Sequence, residues 1–238
     1  MSALSIILLI LIVLAILTPF HGATDLHFHK APKQGTIRVA CVGDSITNGA
    51  LIFGCFFRSY PARLQKMLGR KYHVENYGLN DRTVQSNADK PYEREAEFER
   101  SLAFRPEIVI ILLGTNDTKS HNWVSQEQFG KEYRRLLQNY RDLDSVKMII
   151  LCTPPWQRNA GNFVEHLTND TSAERTPQVA EEVRRIGEEY GLPVIDLYRE
   201  FCKREDLLCY DGVHPNNKGD DVIADRICRE MLIFQDCR

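Results

Sequence analysis

The chain contains a serine, a histidine and an aspartate whose types and spacing suit nucleophilic attack on a carbonyl carbon. Ser45 follows Gly43 and Asp44 at the end of an apolar run, and Asp211 precedes His214 by three residues near the other end of the chain. A serine hydroxyl needs a base at neutral pH, and a histidine with a reference pKa of about 6.5 suits that task. An aspartate one turn away can hold the imidazole in the useful tautomer. The residues therefore predict Ser45 as nucleophile, His214 as general base and Asp211 as the group that orients it.

Each of these residues also has a purely structural interpretation. Ser45 can be the N-cap that opens the next helix. Asp211 and His214 can stabilise a surface turn before Pro215. The surrounding elements decide between the two interpretations, because a catalytic set has to converge in space.

Apolar runs alternate with helical patterns along most of the chain. Five segments predict strands, at residues 37–42, 72–77, 108–113, 148–151 and 194–197; the first is typical of a buried strand, and the third, aliphatic throughout, of a central one. Helical patterns are found at residues 61–68, 93–104, 129–140, 179–190 and 218–231. This alternation predicts an α/β protein, a flavodoxin-like three-layer α/β/α sandwich built on a five-stranded parallel sheet.

The polar candidates all follow these strands. Ser45 comes after the first predicted strand, Gly78 after the second, Asn116 after the third, and Asp211 and His214 after the fifth. Open parallel sheets bind ligands beyond the carboxyl ends of their strands. A parallel sheet therefore brings all five residues to one edge, which indicates a site.

Four blocks of sequence, taken in order, resemble the SGNH (GDSL-type) hydrolase family. The blocks are Val42-Gly43-Asp44-Ser45-Ile46-Thr47, Asn76-Tyr77-Gly78, Gly114-Thr115-Asn116-Asp117 and Asp211-Gly212-Val213-His214-Pro215. The resemblance runs from about residue 37 to the C-terminal helix. It implies the SGNH hydrolase fold and a serine esterase that works through an acyl-enzyme, without a metal or an organic cofactor. It also implies an oxyanion hole made by the backbone N–H groups of Ser45 and Gly78 and the side-chain amide of Asn116.

Other interpretations of the oxyanion residues remain open. Gly78 can be an ordinary turn glycine, and Asn116 can be a loop cap. The family often has small residues after the glycine, whereas this chain has Leu79-Asn80-Asp81. No Gly-x-Ser-x-Gly motif is present, which argues against the α/β-hydrolase fold.

Within the family, the chain is most similar to the sialate O-acetylesterase-like branch. The residues that suggest this are Asp81-Arg82-Thr83, Lys90-Pro91-Tyr92, Gly114-Thr115-Asn116-Asp117 and Asn122-Trp123. The branch implies removal of acetyl groups from sugars, so the expected partner is a small-molecule or glycan ester. The loop at residues 154–176 agrees with a sugar substrate, because it mixes stacking and hydrogen-bonding side chains: Trp156, Asn162, Phe163 and His166.

Two rival functions remain at this stage. A lysophospholipase or an acyl-thioesterase would use the same site, with Phe53, Phe56 and Phe57 along an acyl groove, although core packing is the favoured interpretation of these side chains. A sugar-binding pseudoenzyme would use the helix start at Ser45 only to hold an anion. The complete set of serine, aspartate and histidine favours an enzyme.

The N-terminal segment predicts entry into the secretory pathway. Residues 3–17 are almost wholly apolar and carry no charge. We therefore predict a signal peptide at residues 1–23 or an uncleaved membrane anchor, then a polar linker at 24–35 and the catalytic domain at 36–238. The protein is expected to be secreted or membrane-anchored. The net charge of -2 gives no reason to expect nucleic acid as a partner.

Seven cysteines gain importance in an oxidising compartment. Two pairs are close enough in sequence for short bridges, Cys202 with Cys209 and Cys228 with Cys237, although the sequence cannot fix the connectivity. Cys41 and Cys152 lie in predicted strands and are expected to be small buried hydrophobes. No Cys-x-x-Cys motif or histidine cluster suggests a metal site.

Two Asn-x-Thr sequences fit the pattern for glycosylation. Asn169 lies in a predicted loop and is a plausible acceptor. Asn116 fits the same pattern, but we expect it to stay unmodified because it should face the site.

Overall fold

A computed structural model of the chain describes residues 25, 29–52, 54–158 and 170–236. The described residues form five strands: β1 (Ile37–Gly43), β2 (Tyr72–Gly78), β3 (Ile108–Leu112), β4 (Met148–Cys152) and β5 (Val194–Ile195). The strands make one sheet in the spatial order β2-β1-β3-β4-β5, and every neighbouring pair is parallel. The predicted five-stranded parallel sheet is confirmed.

Helices cover both faces of this sheet. In chain order they are α1 (Ser45–Asn48), α2 (Cys55–Arg58), α3 (Tyr60–Leu68), α4 (Ala96–Ala103), α5 (Gln126–Arg141), α6 (Thr176–Tyr190), α7 (Leu197–Phe201) and α8 (Asn217–Asp236). Side chains of α3, α7 and α8 enter one hydrophobic core, and those of α4, α5 and α6 enter the other. The arrangement is the predicted three-layer α/β/α sandwich.

The central strands are buried on both faces, as their continuous apolar sequences predict. In β1, Val39 and Cys41 face the first core, whereas Ala40 and Val42 face the second, and all four are fully buried. This alternation follows from the two-residue period of a strand. Cys41 and Cys152 are both buried hydrophobes, as expected.

Several predicted element boundaries differ from the structure. The helices predicted from residues 129 and 179 each begin three residues earlier, and the last helix extends to Asp236. Two other boundaries were wrong because of local contacts. The fifth strand ends at Ile195, not at residue 197, because Asp196 caps α7 by accepting the Arg199 N–H at 3.1 Å. The helix predicted at residues 93–104 begins only at Ala96, after a separate 3₁₀ turn at Tyr92–Arg94. That turn buries Tyr92, whose hydroxyl donates to the Tyr77 carbonyl oxygen at 2.7 Å.

The predicted bridge between Cys202 and Cys209 is not formed. Both thiols are free, with Cys202 exposed and Cys209 half-buried beside the Pro215 carbonyl oxygen at 3.4 Å. Cys228 is also free, and its predicted partner Cys237 lies outside the described residues.

Several other predictions fall outside the described residues. They concern the leader at residues 1–23, the glycosylation site at Asn169, and the side chains of Phe53, Asn162, Phe163 and His166. Of the described helices, none has both the length and the apolar character needed to cross a membrane.

The described part of the predicted linker lies against the domain. We call Asp25 and residues 29–36 the N-terminal strap. The two ring nitrogens of His29 contact Glu75 at 2.9 Å and Glu97 at 2.7 Å, and the ring stacks on Tyr77 at 4.6 Å between centroids. The Lys30 N–H also donates to Glu75, at 3.2 Å. The strap is therefore attached to β2 and α4 by charge as well as by stacking.

The environment of His29 favours its protonated form. Burial opposes a charge on the ring, but the hydrogen bonds and charges of Glu75 and Glu97 raise the pKa of His29 to about 9. Because this exceeds the unfolded value of about 6.5, the resulting stabilisation is complete below that value and is lost as the pH rises through the folded pKa.

We expect His29→Gln to lower the free energy of unfolding near neutral pH by about 1–2 kcal/mol, because two ionic hydrogen bonds are lost. Urea titrations of the variant and the wild type, from about pH 6 to about pH 10, measure the difference. The two stabilities should approach each other at the alkaline end. A difference that stays constant over this range would contradict a protonated His29.

Candidate active site

Ser45 lies where β1 ends and α1 begins, at the carboxyl edge of the sheet. Asp44 is the N-cap of α1, and its carboxylate accepts the Ile46 N–H at 3.0 Å. The sharp entry into α1 requires Gly43, because a Cβ there would lie 1.9 Å from Thr47 Oγ1 and 2.6 Å from the Leu112 carbonyl oxygen. These contacts hold the Ser45 hydroxyl at the tip of the strand.

The structure brings Ser45, His214 and Asp211 into one hydrogen-bonded chain. The Ser45 hydroxyl lies 2.8 Å from His214 Nε2. His214 Nδ1 contacts one carboxylate oxygen of Asp211. The other oxygen accepts the backbone N–H groups of Val213 and His214, both at 3.1 Å. The backbone bonds fix the Asp211 carboxylate, which in turn fixes the imidazole in the orientation that a base for Ser45 needs.

The charges around the hydrogen-bonded Ser45–His214–Asp211 series make His214 a stronger base. Burial alone would lower the pKa of His214, but the hydrogen bond and charge of Asp211, with smaller contributions from Asp44 and Asp81, raise it above its usual value. Burial likewise opposes ionisation of Asp211, yet its bonds to His214 and to the backbone hold its pKa below the usual value. An ionised aspartate beside a more basic histidine is the arrangement that can accept a hydroxyl proton.

Asn116 lies in a buried 3₁₀ turn directly after β3. One amide hydrogen of its side chain is donated to the Arg82 carbonyl oxygen at 3.2 Å. A primary amide has two such hydrogens, so this bond orients the group and leaves donor capacity. The carboxylate of Asp117 accepts the backbone N–H groups of Val84 and Gln85, which ties the turn to the segment after β2. Asp117 was not predicted to have this role, because neither its burial nor its backbone partners can be inferred from the sequence.

Gly78 is the last residue of β2 and packs directly against α1. A Cβ at this position would lie 2.3 Å from the Asn48 backbone nitrogen. Its N–H donates to the Asn76 side-chain oxygen at 2.9 Å. The close approach explains why glycine is needed here. The single N–H hydrogen of Gly78 is engaged by Asn76 in this structure, so the expected role as an oxyanion donor requires that this bond be released or shared.

The next residues form a turn beside the site, which we call the 79–82 turn. Asp81 has a left-handed backbone, with a φ of 65°. Its carboxylate contacts Lys90 at 3.0 Å and Lys119 at 3.2 Å, and its charge contributes to the raised pKa of His214. In the sequence, Leu79-Asn80-Asp81 differ from the small residues that the family often has after the glycine. The turn-forming pair Asn80-Asp81 was the signal that could have predicted this loop.

The described part of the chain contains no group of three or more histidine, cysteine, aspartate or glutamate side chains arranged to hold a metal ion.

The part of the chain that is similar to known proteins contains these site residues. The sequence profile of the GDSL-like Lipase/Acylhydrolase family matches residues 41–222, which include all four blocks of the site. The chain belongs to this family.

Relatives in the GDSL-like family include an acetylxylan esterase of Xylanibacter ruminicola. It is 34% identical over 218 residues, which cover 83% of this chain and 43% of the relative. A GDSL esterase/lipase of Arabidopsis thaliana is 25% identical over 142 residues, covering 52% of this chain and 59% of that protein. The chain thus spans about half the length of these two relatives.

Solved structures share the fold of this GDSL-like protein. A carbohydrate acetylesterase family member from Sinorhizobium meliloti superposes with a TM-score of 0.67 at 21% identity, covering 83% of this chain and 98% of that one. A catalytic mutant of an acetylxylan esterase from Geobacillus stearothermophilus gives a TM-score of 0.61 at 24% identity, covering 83% and 95% of the two chains. At these identities the comparison establishes the fold.

The raised pKa of His214 predicts the pH dependence of activity. Because the base must be neutral, kcat/KM should fall as the pH drops through the pKa of His214 in the free enzyme. Since that pKa is raised, we expect the midpoint of the acid limb above the reference value of about 6.5. Initial rates on p-nitrophenyl acetate across the pH range give this midpoint. A flat profile down to about pH 4 would contradict a histidine base.

Asn116→Ala tests the expected oxyanion donor. We expect kcat to fall by about 10²-fold with a smaller change in KM, because a donor to the oxyanion acts mainly in the transition state. Steady-state kinetics give both constants, and thermal unfolding shows whether loss of the bond to Arg82 also weakens the fold. An increase in KM alone would make Asn116 a substrate-binding residue instead.

Proposed function

We propose that this GDSL-like protein is a serine esterase that removes short acyl groups, chiefly acetyl, from carbohydrate esters. The observation that carries the proposal is the 2.8 Å contact of the Ser45 hydroxyl with His214 Nε2, with Asp211 on the other ring nitrogen. Both the nucleophile and its base lie at the carboxyl edge of the sheet, where a substrate can reach them.

The reaction runs in two stages through an acyl-enzyme. Ser45 Oγ attacks the ester carbonyl carbon while its proton passes to His214 Nε2, and Asp211 stabilises the imidazolium that forms. The tetrahedral intermediate then releases the sugar alcohol, which takes the proton from His214. Water, activated by the neutral His214, attacks the acetyl-Ser45 ester and releases acetate. The proposed donors to the oxyanion in both stages are the N–H groups of Ser45 and Gly78 and the Asn116 amide.

The names of two similar proteins and the charged side chains near His214 support an acetylated sugar as the substrate class. The Xylanibacter ruminicola relative is named as an acetylxylan esterase, and the Sinorhizobium meliloti structure as a carbohydrate acetylesterase family member. Near His214, the two cations Lys90 and Lys119 are balanced by the two carboxylates Asp81 and Asp170, which suits a neutral polar substrate. We further propose a sialate O-acetylesterase-like specificity, and action outside the cell or at a membrane after secretion.

One observation favours a second candidate with longer acyl chains. Phe56 and Phe57 are 49% and 72% exposed, so the core packing expected for them is wrong. They line a groove of about 660 Å³ together with Asn48, the last residue of α1, and Asn76 of β2, and neither Ser45 nor His214 is among its lining residues. A lysophospholipase or an acyl-thioesterase would place its acyl chain there. By contrast, Trp156 in the predicted sugar loop packs partly against the first core.

The test combines active-site labelling with an ester series. We expect a fluorophosphonate probe to label the wild type, and Ser45→Ala to lose both labelling and hydrolysis while keeping its circular dichroism spectrum. Among p-nitrophenyl esters, acetate should be turned over faster than octanoate. Acetylated xylan and acetylated sialic acid then separate the two carbohydrate specificities.

Phe57→Ala supplies the matched control for chain length. If acetate is the preferred acyl group, this change at an exposed side chain should leave acetate turnover unaltered. A wild-type preference for octanoate that Phe57→Ala abolishes would replace the acetylesterase by the long-chain enzyme. Failure of the probe to label the wild type would instead support the sugar-binding pseudoenzyme.

A further inference from the structure

The N-terminal strap reaches the 79–82 turn through Asp25. One carboxylate oxygen of Asp25 accepts the Asn80 N–H at 3.0 Å, and the other lies 3.5 Å from Arg82 Nη1. One side chain thus holds two positions of a turn that borders the Ser45–His214 pair. From its composition, this segment was predicted to be only a linker.

The 79–82 turn is connected to both sides of the site. The side-chain oxygen of Asn80 accepts from the Asn48 amide at 3.0 Å, and Asn48 is the last residue of the helix that begins at Ser45. The carbonyl oxygen of Arg82 accepts from the Asn116 amide at 3.2 Å. A displacement of the turn would therefore reach the nucleophile helix and the expected oxyanion donor together.

Two further hydrogen bonds of Arg82 set the orientation of its guanidinium group. Arg82 Nη1 donates to the Asn80 carbonyl oxygen at 2.6 Å, and Nε donates to Glu95 at 3.1 Å. The guanidinium is thus directed by Glu95 on one side and by the turn and Asp25 on the other. Because its planar donors have a fixed arrangement, loss of one partner changes the orientation of the group.

His29 is a fixed point close to Asp25 in the sequence. It lies four residues after Asp25 and is bound by Glu75, Glu97 and the ring of Tyr77. This short sequence separation limits the distance between Asp25 and the turn, so the entropic cost of placing Asp25 there is reduced.

We infer that Asp25 is a positioning residue for the oxyanion side of the site, with His29 as its anchor. This inference rests on the proposed esterase function. Asp25 acts through Asn80 and Arg82 on the Asn116 amide and does not touch the reacting atoms. The strap thereby makes a segment that precedes the first strand a part of the catalytic machinery.

The experiment measures p-nitrophenyl acetate hydrolysis by the full chain and by point variants. We expect Asp25→Ala to lower kcat by about ten-fold with little change in KM, because small displacements of catalytic groups are costly. Asp25→Glu should restore much of the loss, since it keeps the carboxylate. Lys33→Ala is the matched control, because Lys33 is an exposed strap residue that contributes its carbonyl oxygen to a bond with Thr36.

A double-mutant cycle separates positioning from a general loss of structure. If Asp25 acts through Asn116, then Asp25→Ala should have little further effect on kcat in an Asn116→Ala background. The acid limb of the pH profile should stay in place in Asp25→Ala, because the serine, histidine and aspartate are undisturbed. Independent effects of the two substitutions, or an effect on KM alone, would overturn the inference.

The outcomes also distinguish this inference from the proposed function. An active wild type with Asp25→Ala indistinguishable from Lys33→Ala would overturn the positioning role and leave the esterase intact. A wild type without hydrolysis or probe labelling would overturn the esterase and the positioning role together.

Discussion

The close approach of α1 to the ends of two strands is the constraint on which the site depends. Gly43 and Gly78 are paired in the register of β1 and β2, and α1 lies across both. A side chain at either position would collide with Thr47 or with the backbone of Asn48. Only when both are glycine can α1 lie flat on the sheet edge. The sheet thereby sets the position of Ser45, while His214 and Asp211 arrive on the segment between β5 and α8.

Buried carboxylates provide a second layer of this arrangement. Asp44 caps α1 and Asp117 receives two backbone N–H groups, and burial raises the pKa values of the two side chains to about 7 and about 6. Asp44 joins the end of β1 to α1, and Asp117 joins the turn after β3 to the segment after β2, which a hydrophobic side chain cannot do. The charge of Asp44 also contributes to the raised pKa of His214. The imidazolium formed during proton transfer thus has Asp211 in contact and Asp44 nearby.

The parts of the fold that the sequence predicted are those with a continuous apolar signal. β3 is aliphatic throughout and was predicted to within one residue, because a buried central strand has only one pattern. The end of β5 and the start of α4 were missed, because Asp196 and Tyr92 set them through contacts that periodicity does not contain. Ser45, Asp211 and His214 were predictable because strand ends of a parallel sheet converge.

The contacts that the sequence could not predict join residues that are far apart and polar. Asp117 reaches Val84, and Asp25 reaches Asn80 and Arg82, through single side chains without any repeating pattern. For this reason the polar composition of residues 24–35 predicted only a linker.

The N-terminal strap also contacts the edge strand β2. The edge of a sheet exposes unpaired groups that proteins usually cover with charge or with a chain segment. On β2 the Val74 N–H is bonded by the Gln65 side chain, and the Glu75 carboxylate is bound by His29 and Lys30. The strap thus contacts β2 through His29 and Lys30, and the 79–82 turn through Asp25. His29→Gln should therefore lower activity as well as stability. Both differences from the wild type should become smaller as the pH rises through the pKa of His29, about 9. The proposed positioning role of Asp25 would make catalysis depend on a residue outside the family's matched region, which begins at residue 41.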